Sequence, residues 1–491
     1  MARPNVLLLL TDQQRADTIH AVGNPIIRTP SLDRLAREGV RFGSAYTPAP
    51  VCVPARCSLI YGLYPHETGC FDNDDPMPTD RPSLMDLLSG SGYRTHGIGK
   101  MHFTPDGQAL RGFQSRERQE EIVERVEDDD YLPYLHAAGF EHVYDPFGQR
   151  GELYYLPQPA QVPAHLHGSA WVGDRAVHFI EETERERPFF LFASFIHPHP
   201  PFTPPTPWNK LYRAALMPLP KLPPGYDALW SYANRYQNRY KYRDAGLDLN
   251  LVRAMRAYYY ACISFIDYQV GRILQALERR GVLDDTLIVY TSDHGEFLGD
   301  YGCFGKRSML DAAARVPLLL RYPERFTPGQ EADAPASLVD IMPTVCAAAG
   351  LACDSSGTDL VGIVAGGAGD RPVYSQYQDR ELGVYMAVDS RWKYFYSAPD
   401  RREFLFDRVN DPQETRNRAG VSLCQEPLRQ MRRGLIERFR SSDYDDPLEG
   451  ETCWRAYPQP QMPVDPDAGL LIQDAGWSLP YQAIPGYSDG D

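Results

Sequence analysis

The chain has 491 residues, is 43% hydrophobic and carries a formal net charge of −15. That length accommodates a large domain plus a smaller one, and the acidic balance excludes a nucleic-acid binder, which needs a basic face against phosphate. Nine cysteines in irregular positions, with no Cys-x-x-Cys pair, exclude a disulfide framework and a structural zinc site.

Val6–Leu10 is a continuous apolar run, the pattern of a strand covered on both faces, and it turns polar at Thr11-Asp12-Gln13-Gln14. It is too short for a signal-peptide core or a membrane span, so a cytoplasmic protein without membrane contact is expected. Pro30 to Gly39 reads as a short amphipathic helix with Ser31 as N-cap and Gly39 as its stop. Pro188 to Ile196 is a second buried strand, ending in His197-Pro-His199. A long helix is expected from Val252 to Arg280, then a third buried strand, Thr286 to Tyr290, ending in Thr291-Ser-Asp293-His294. Three buried strands thus deliver polar residues at their carboxyl ends, the edge where open α/β sheets bind ligands.

After about residue 365 the texture changes. Gly383–Val388 and Trp392–Tyr396 alternate as strands of a small antiparallel sheet, and a helix is expected over Pro427–Arg440. The stretch after Asp443 is rich in proline and acid, yet carries Trp454, Leu470, Leu471, Ile472, Trp477, Leu479 and Tyr481. So much apolar surface must dock on its own chain or on a neighbour, and a homo-oligomer built partly by this tail is expected.

Two segments carry the chemistry. The first is Cys52-Val-Pro54-Ala-Arg56, closed by Gly62; alone, Cys52 reads equally as a buried free cysteine. The second is Gly92-Tyr-Arg-Thr95-His-Gly-Ile-Gly99-Lys100-Met-His102. Together they resemble the two signatures of the type I sulfatases of the alkaline-phosphatase-like superfamily, with departures at Val53 and Tyr61. The likeness runs from residue 5 to about 420, ending in Glu403-Phe-Leu-Phe-Asp407, Asp411-Pro-Gln-Glu414 and Asn417.

The resemblance implies an α/β fold: a large domain with a central mixed, mostly parallel sheet between helices, and a smaller C-terminal α+β subdomain with an antiparallel sheet. The expected division is 1–365 catalytic, 366–442 small subdomain and 443–491 tail. It implies that a formylglycine-generating enzyme oxidises Cys52 to formylglycine. Arg56, Lys100 and His102 then surround that residue, while His199 and Lys306 face the leaving oxygen of a small anionic ester. Asn73 is a further substrate-binding position, and His197 is the second choice for the substrate-facing histidine. Asp12, Gln13, Asp293 and His294, with residue 52, are the implied metal ligands; oxygen donors favour a hard divalent cation. Calcium is the expected ion, with manganese and magnesium as alternatives, since one imidazole also suits manganese.

The hydrated aldehyde implied at position 52 carries two hydroxyls on one carbon. One attacks the sulfate ester; the other, deprotonated with His102 as base, expels sulfate and restores the aldehyde. Three cations and a metal offset the charge developing on the transferring group despite the acidic exterior. The rival within the superfamily is a phosphonate monoester or phosphodiester hydrolase, whose members tend to lack the Lys-x-His pair. The rival outside catalysis is a decayed scaffold that only binds, although none of the expected positions is missing.

Overall fold

The computed structural model describes residues 3–123, 125–150, 154–184, 186–241, 248–367 and 370–462. Asn5–Asp12 (β1) is its spine: Val6 to Leu10 are at most 1% exposed, as a doubly covered strand requires. Burying each such side chain contributes on the order of 1.5–3 kcal/mol, so a short run suffices to seat the strand. In chain order there follow Val40–Phe42 (β2), Ala45–Tyr46 (β3), Arg94–Gly99 (β4), Ser115–Arg118 (β5), Phe189–Pro198 (β6), Thr286–Ser292 (β7), Leu318–Arg321 (β8) and Gln330–Ala332 (β9). Eight of these form one sheet in the order β5-β4-β6-β1-β7-β8-β2-β9, while β3 pairs with Ala336–Ser337 (β10). The strands from β5 to β7 are mutually parallel, and β8 runs antiparallel to both of its neighbours.

Alternate side chains of β1 enter different cores, as the two-residue period of a strand dictates. Val6, Leu8 and Leu10 pack with Val53, Leu59, Ile60, Leu84 and Ile341 on one face. Leu7 and Leu9 pack on the other with Trp171 and Val172 of helix Gly168–Glu182 and Ile266 and Val270 of helix Leu249–Arg280. Because β4, β6, β1 and β7 are adjacent and parallel, their carboxyl ends share one edge. That edge carries Lys100, His197 to His199, Asp12 with Gln13, and Asp293 with His294.

Strand β4 was not expected, because Arg-Thr-His-Gly-Ile-Gly lacks an apolar run. Pairing with β6 supplies what its sequence does not. Its last residue, Gly99, has φ +86°, and a Cβ there would sit 2.0 Å from the Ser194 carbonyl oxygen of β6. Only glycine lets the chain turn into Lys100 at that separation. The helix Pro30–Glu38 corrects another expectation: its N-cap is Thr29, not Ser31, because Pro30 occupies the first helical position. Asp267 of the long helix accepts from the backbone N–H groups of Ser31 (3.2 Å) and Leu32 (2.8 Å) instead.

Val373–Tyr377 (β11), Val384–Val388 (β12), Trp392–Ser397 (β13) and Arg402–Asp407 (β14) form the C-terminal antiparallel sheet in sequential order. Helix Gln425–Ser441 covers one face through Leu428, Leu435, Ile436 and Phe439. The other face buries Phe395, Phe404 and Phe406 against Tyr46, Val51, Phe297 and Met309 of the catalytic part. Trp454 docks on its own chain, stacked 4.9 Å from Tyr396 and donating its indole N–H to Tyr394 Oη at 2.7 Å. Leu470, Leu471, Ile472, Trp477, Leu479 and Tyr481, on which the expected tail contacts rest, lie outside the described residues. No helix among the described residues is long and apolar enough to cross a membrane.

Candidate active site

Cys52 opens the helix Cys52–Tyr61, all ten residues of which are buried. Asn73 Oδ1 accepts from the Val53 N–H at 3.0 Å, so this asparagine caps the helix whose first residue is Cys52. The sulfur lies 2.8 Å from Lys306 Nζ, 3.3 Å from His294 Nε2 and 3.8 Å from Asp12 Oδ1. Burial alone would push the thiol up. Lys306, Lys100 and His294, with a hydrogen bond from His102, instead pull it well below the ordinary thiol range. An oxygen standing where this sulfur stands would meet the same cations.

Arg56, one turn along, faces the sheet edge and is 2% exposed. It donates through Nε to Asp293 Oδ2 (2.9 Å), and through Nη1 to Ser194 Oγ (3.0 Å) and the Lys100 carbonyl (2.5 Å). Its Nη2 reaches Asp12 Oδ2 at 3.2 Å, where Lys100 Nζ also arrives at 2.6 Å. Burial and the Cys52 thiolate would raise the Asp12 carboxyl, but Lys100, His199 and Lys306 outweigh them and hold it at about 2. His102 is held by its backbone: its N–H points at the Glu120 carboxylate, and its φ of +54° turns the chain back after β4.

Asp12, Cys52, Asp293 and His294 place their ligand atoms within 4.8 Å of one another, all buried. Gln13 adds an oxygen. Its side-chain amide donates to the Glu296 carboxylate, which fixes the amide's orientation because a carboxylate only accepts. Gln13 Oε1 is then buried with no hydrogen-bond partner among the described residues. An orphaned amide oxygen next to two carboxylates and an imidazole fits a hard divalent cation, since an unpartnered buried acceptor otherwise costs free energy.

The two histidines ending β6 differ. His199 directs Nδ1 at the Pro200 carbonyl (2.7 Å) and Glu121 Oε1 (3.3 Å), on the side where Lys100 and Asp12 meet. His197 donates or accepts at Thr203 Oγ1 (2.9 Å) and packs against His167 and Phe147. Burial, with His167 and His199 nearby, pushes the His197 imidazole well below its usual range, as suits a neutral packing ring. Glu121 and Glu296 are site residues that the sequence reading missed. Glu121 bonds Lys100 Nζ at 2.6 Å and Arg150 Nη1 at 2.8 Å. Glu296 lies two residues past His294 and could have been read as an extension of that motif; nothing local marks Glu121.

A parallel-sheet edge that gathers carboxylates, an imidazole, a thiol and several buried cations fits a metal-assisted hydrolase of anionic esters. Comparison with known proteins agrees. The chain belongs to the sulfatase family: the family's pattern matches residues 4–351, and a second, described as the C-terminal part of N-sulphoglucosamine sulphohydrolase, matches 299–441. It is thus a type I sulfatase-like sulfuric ester hydrolase of the alkaline-phosphatase-like superfamily. The chain is 28% identical to an arylsulfatase of Clostridium perfringens, over 93% of this chain and 98% of that one. It is 30% identical to a multifunctional alkaline phosphatase superfamily protein of Trinickia caryophylli, over 86% and 92%. The crystal structure of a phosphonate monoester hydrolase of Agrobacterium radiobacter superposes with a TM-score of 0.77 at 26% identity, covering 93% and 100%.

Proposed function

We propose that this chain hydrolyses a sulfate monoester, aryl or small alkyl, at position 52 after Cys52 has become formylglycine, with side activity on phosphate and phosphonate esters. The observation that carries the reading is the position of Cys52 Sγ, 2.8 Å from Lys306 Nζ and inside the Asp12–Asp293–His294 cluster. Asp12, Gln13, Asp293 and His294 would hold a divalent cation, calcium first, which would stabilise negative charge at the attacking and transferring oxygens. Lys306 and Lys100 keep the group at position 52 ionised, and Arg56 locks the two carboxylates in place. His102, beside residue 52, is placed to take a proton from it, and His199 to give one to the leaving oxygen.

One observation favours phosphonate monoester hydrolysis as the second reading: Lys306 and Asn73 flank residue 52 in a fold that superposes on such an enzyme. Against it stands Lys100, buried beside Asp12 with His102 at residue 52. Protein made together with a formylglycine-generating enzyme decides between them. Mass spectrometry of the peptide bearing residue 52 is expected to show a loss of about 18 Da relative to cysteine. Kinetics on aryl sulfates, choline sulfate and phenyl phosphonate esters are expected to favour a sulfate. Full activity with an intact cysteine would sink the nucleophile, and a preference for phosphonates would hand the function to the second reading.

A further inference from the structure

Glu121 has no part in the chemistry described so far, yet it touches Lys100 and His199, which do, and Arg150. It lies on the segment after β5, 12% exposed, at the mouth of the site. Oε2 accepts from Lys100 Nζ at 2.6 Å and Oε1 from Arg150 Nη1 at 2.8 Å, and Oε1 lies 3.3 Å from His199 Nδ1 at ion-pair distance. Burial would raise this carboxyl, but His199, Lys100 and Arg150 hold it well below the usual carboxylate range, so it is an anion.

The hydrogen-bond partners assign the His199 tautomer. Nδ1 has its hydrogen bond with the Pro200 carbonyl oxygen, which can only accept, and the Glu121 carboxylate stands 3.3 Å away at ion-pair distance. Nδ1 therefore carries hydrogen, and Nε2 has no hydrogen-bond partner among the described residues. The surrounding charge matters as much. Lys100, Lys306, Arg56 and Arg150 crowd one small site with like charge. Against those four cations, Asp12 and Asp293 are engaged by Arg56, and Asp12 also by Lys100. Glu121 is the carboxylate that contacts His199 itself.

We propose that Glu121 is a positioning residue for leaving-group departure: the Pro200 carbonyl fixes Nδ1 of His199, and the Glu121 carboxylate beside it offsets the positive charge the ring carries while Nε2 holds the proton meant for the leaving oxygen. The inference rests on the ester-hydrolase reading above. As the nucleophile at position 52 bonds to sulfur, the bond from sulfur to the leaving oxygen breaks and its electron pair stays on that oxygen. The Nε2 proton of His199 passes to the oxygen, which departs as a neutral alcohol or phenol. The ring, now neutral, takes its next proton from water. Such help matters for a poor leaving group and little for one that departs readily as an anion.

The test is a leaving-group series on full-length, modified enzyme loaded with calcium. For Glu121→Gln, kcat/KM on phenyl sulfate is expected to fall about 100-fold, while 4-nitrophenyl sulfate falls less than about 5-fold. His199→Ala should show the same contrast, and the double variant should lose no more than the worse single one, as for two residues acting as a unit. Glu121→Asp, which keeps the charge, should restore part of the phenyl sulfate rate; it also serves if the Gln variant is insoluble. Equal losses across the series, or additivity with His199→Ala, would overturn the proposal by making Glu121 a structural or binding residue. If the wild type turns over aryl phosphonates but no sulfate, the sulfate reading fails, and the same contrast along an aryl phosphonate series decides on Glu121.

Discussion

Two clusters of buried charge among the described residues differ in how completely their hydrogen-bond acceptors are met. At the seam between the catalytic part and the C-terminal sheet, Lys393 Nζ binds Asp311 Oδ1 at 2.6 Å and the Glu414 carboxylate. Asp311 also accepts from Tyr46 Oη (3.1 Å) and Arg315 (3.4 Å), and the second Glu414 oxygen accepts from the Asp311 N–H at 2.7 Å. Every carboxylate oxygen there has a donor. Around Cys52 the composition is similar, yet Gln13 Oε1 and His102 Nδ1 are buried without partners among the described residues. Arg315 Nε at the seam is also buried without a partner among the described residues, but the seam's carboxylates are all met, as suits a joint holding the sheet on the catalytic part; the unmet Gln13 oxygen marks the other cluster as a place built to receive something.

The comparison breaks most readily at Asp293. Asp293→Ala is expected to abolish turnover and lower metal occupancy, because it removes a metal-facing carboxylate and strands Arg56, whose Nε it receives at 2.9 Å. Normal turnover of this variant under stringent chelation would refute the metal assignment. At the seam the expected loss is in stability. Lys393→Met leaves two buried carboxylates short of a cation and should cost about 3–5 kcal/mol, read from urea unfolding, with kcat of the folded fraction little changed. A kcat loss as deep as that of Asp293→Ala would show that the seam is part of the site.

The smallest effect sharpens the picture of the seam's edge. His66 packs on Phe439 at 5.0 Å, and burial together with Arg438 lowers its imidazole to about 3. A histidine held neutral in the fold binds a proton only on unfolding, so its stabilising contribution is complete above the unfolded value of 6.5 and declines as pH falls toward 3. Between pH 7.5 and 5.5 it accounts for about 1.4 kcal/mol of lost stability. His66→Phe should flatten the stability profile by that amount; an unchanged slope would place the acid sensitivity elsewhere.

How much of this was legible depends on range. β1, β6 and β7 were readable because a doubly buried strand needs a continuous apolar run, and each run stops where its site residues begin. Cys52, Arg56, Lys100 and His102 were readable as motifs, since each set lies within a few residues. β4 was not, because its stability comes from its neighbours rather than its own side chains. Trp454 was recognised as needing a partner, but not that Tyr396 and Tyr394 supply it.

The sequence by itself determined the fold class, the family and the chemical kinds of group available, because burial periodicity, glycine placement and short motifs are local properties of the chain. Only the tertiary structure decided which groups meet. Glu414 stood in a readable motif, but its partners Lys393 and Asp311 come from the strand Trp392–Ser397 and the short helix Asp311–Ala314. His197, near the end of β6, and His199, just beyond it, are two residues apart, and packing alone sends one to Thr203 and the other toward Glu121. Glu121 lies 21 residues from Lys100 and 78 from His199 in the chain. Their contact follows from the order of strands in the sheet, a non-local outcome of packing that no window of sequence contains.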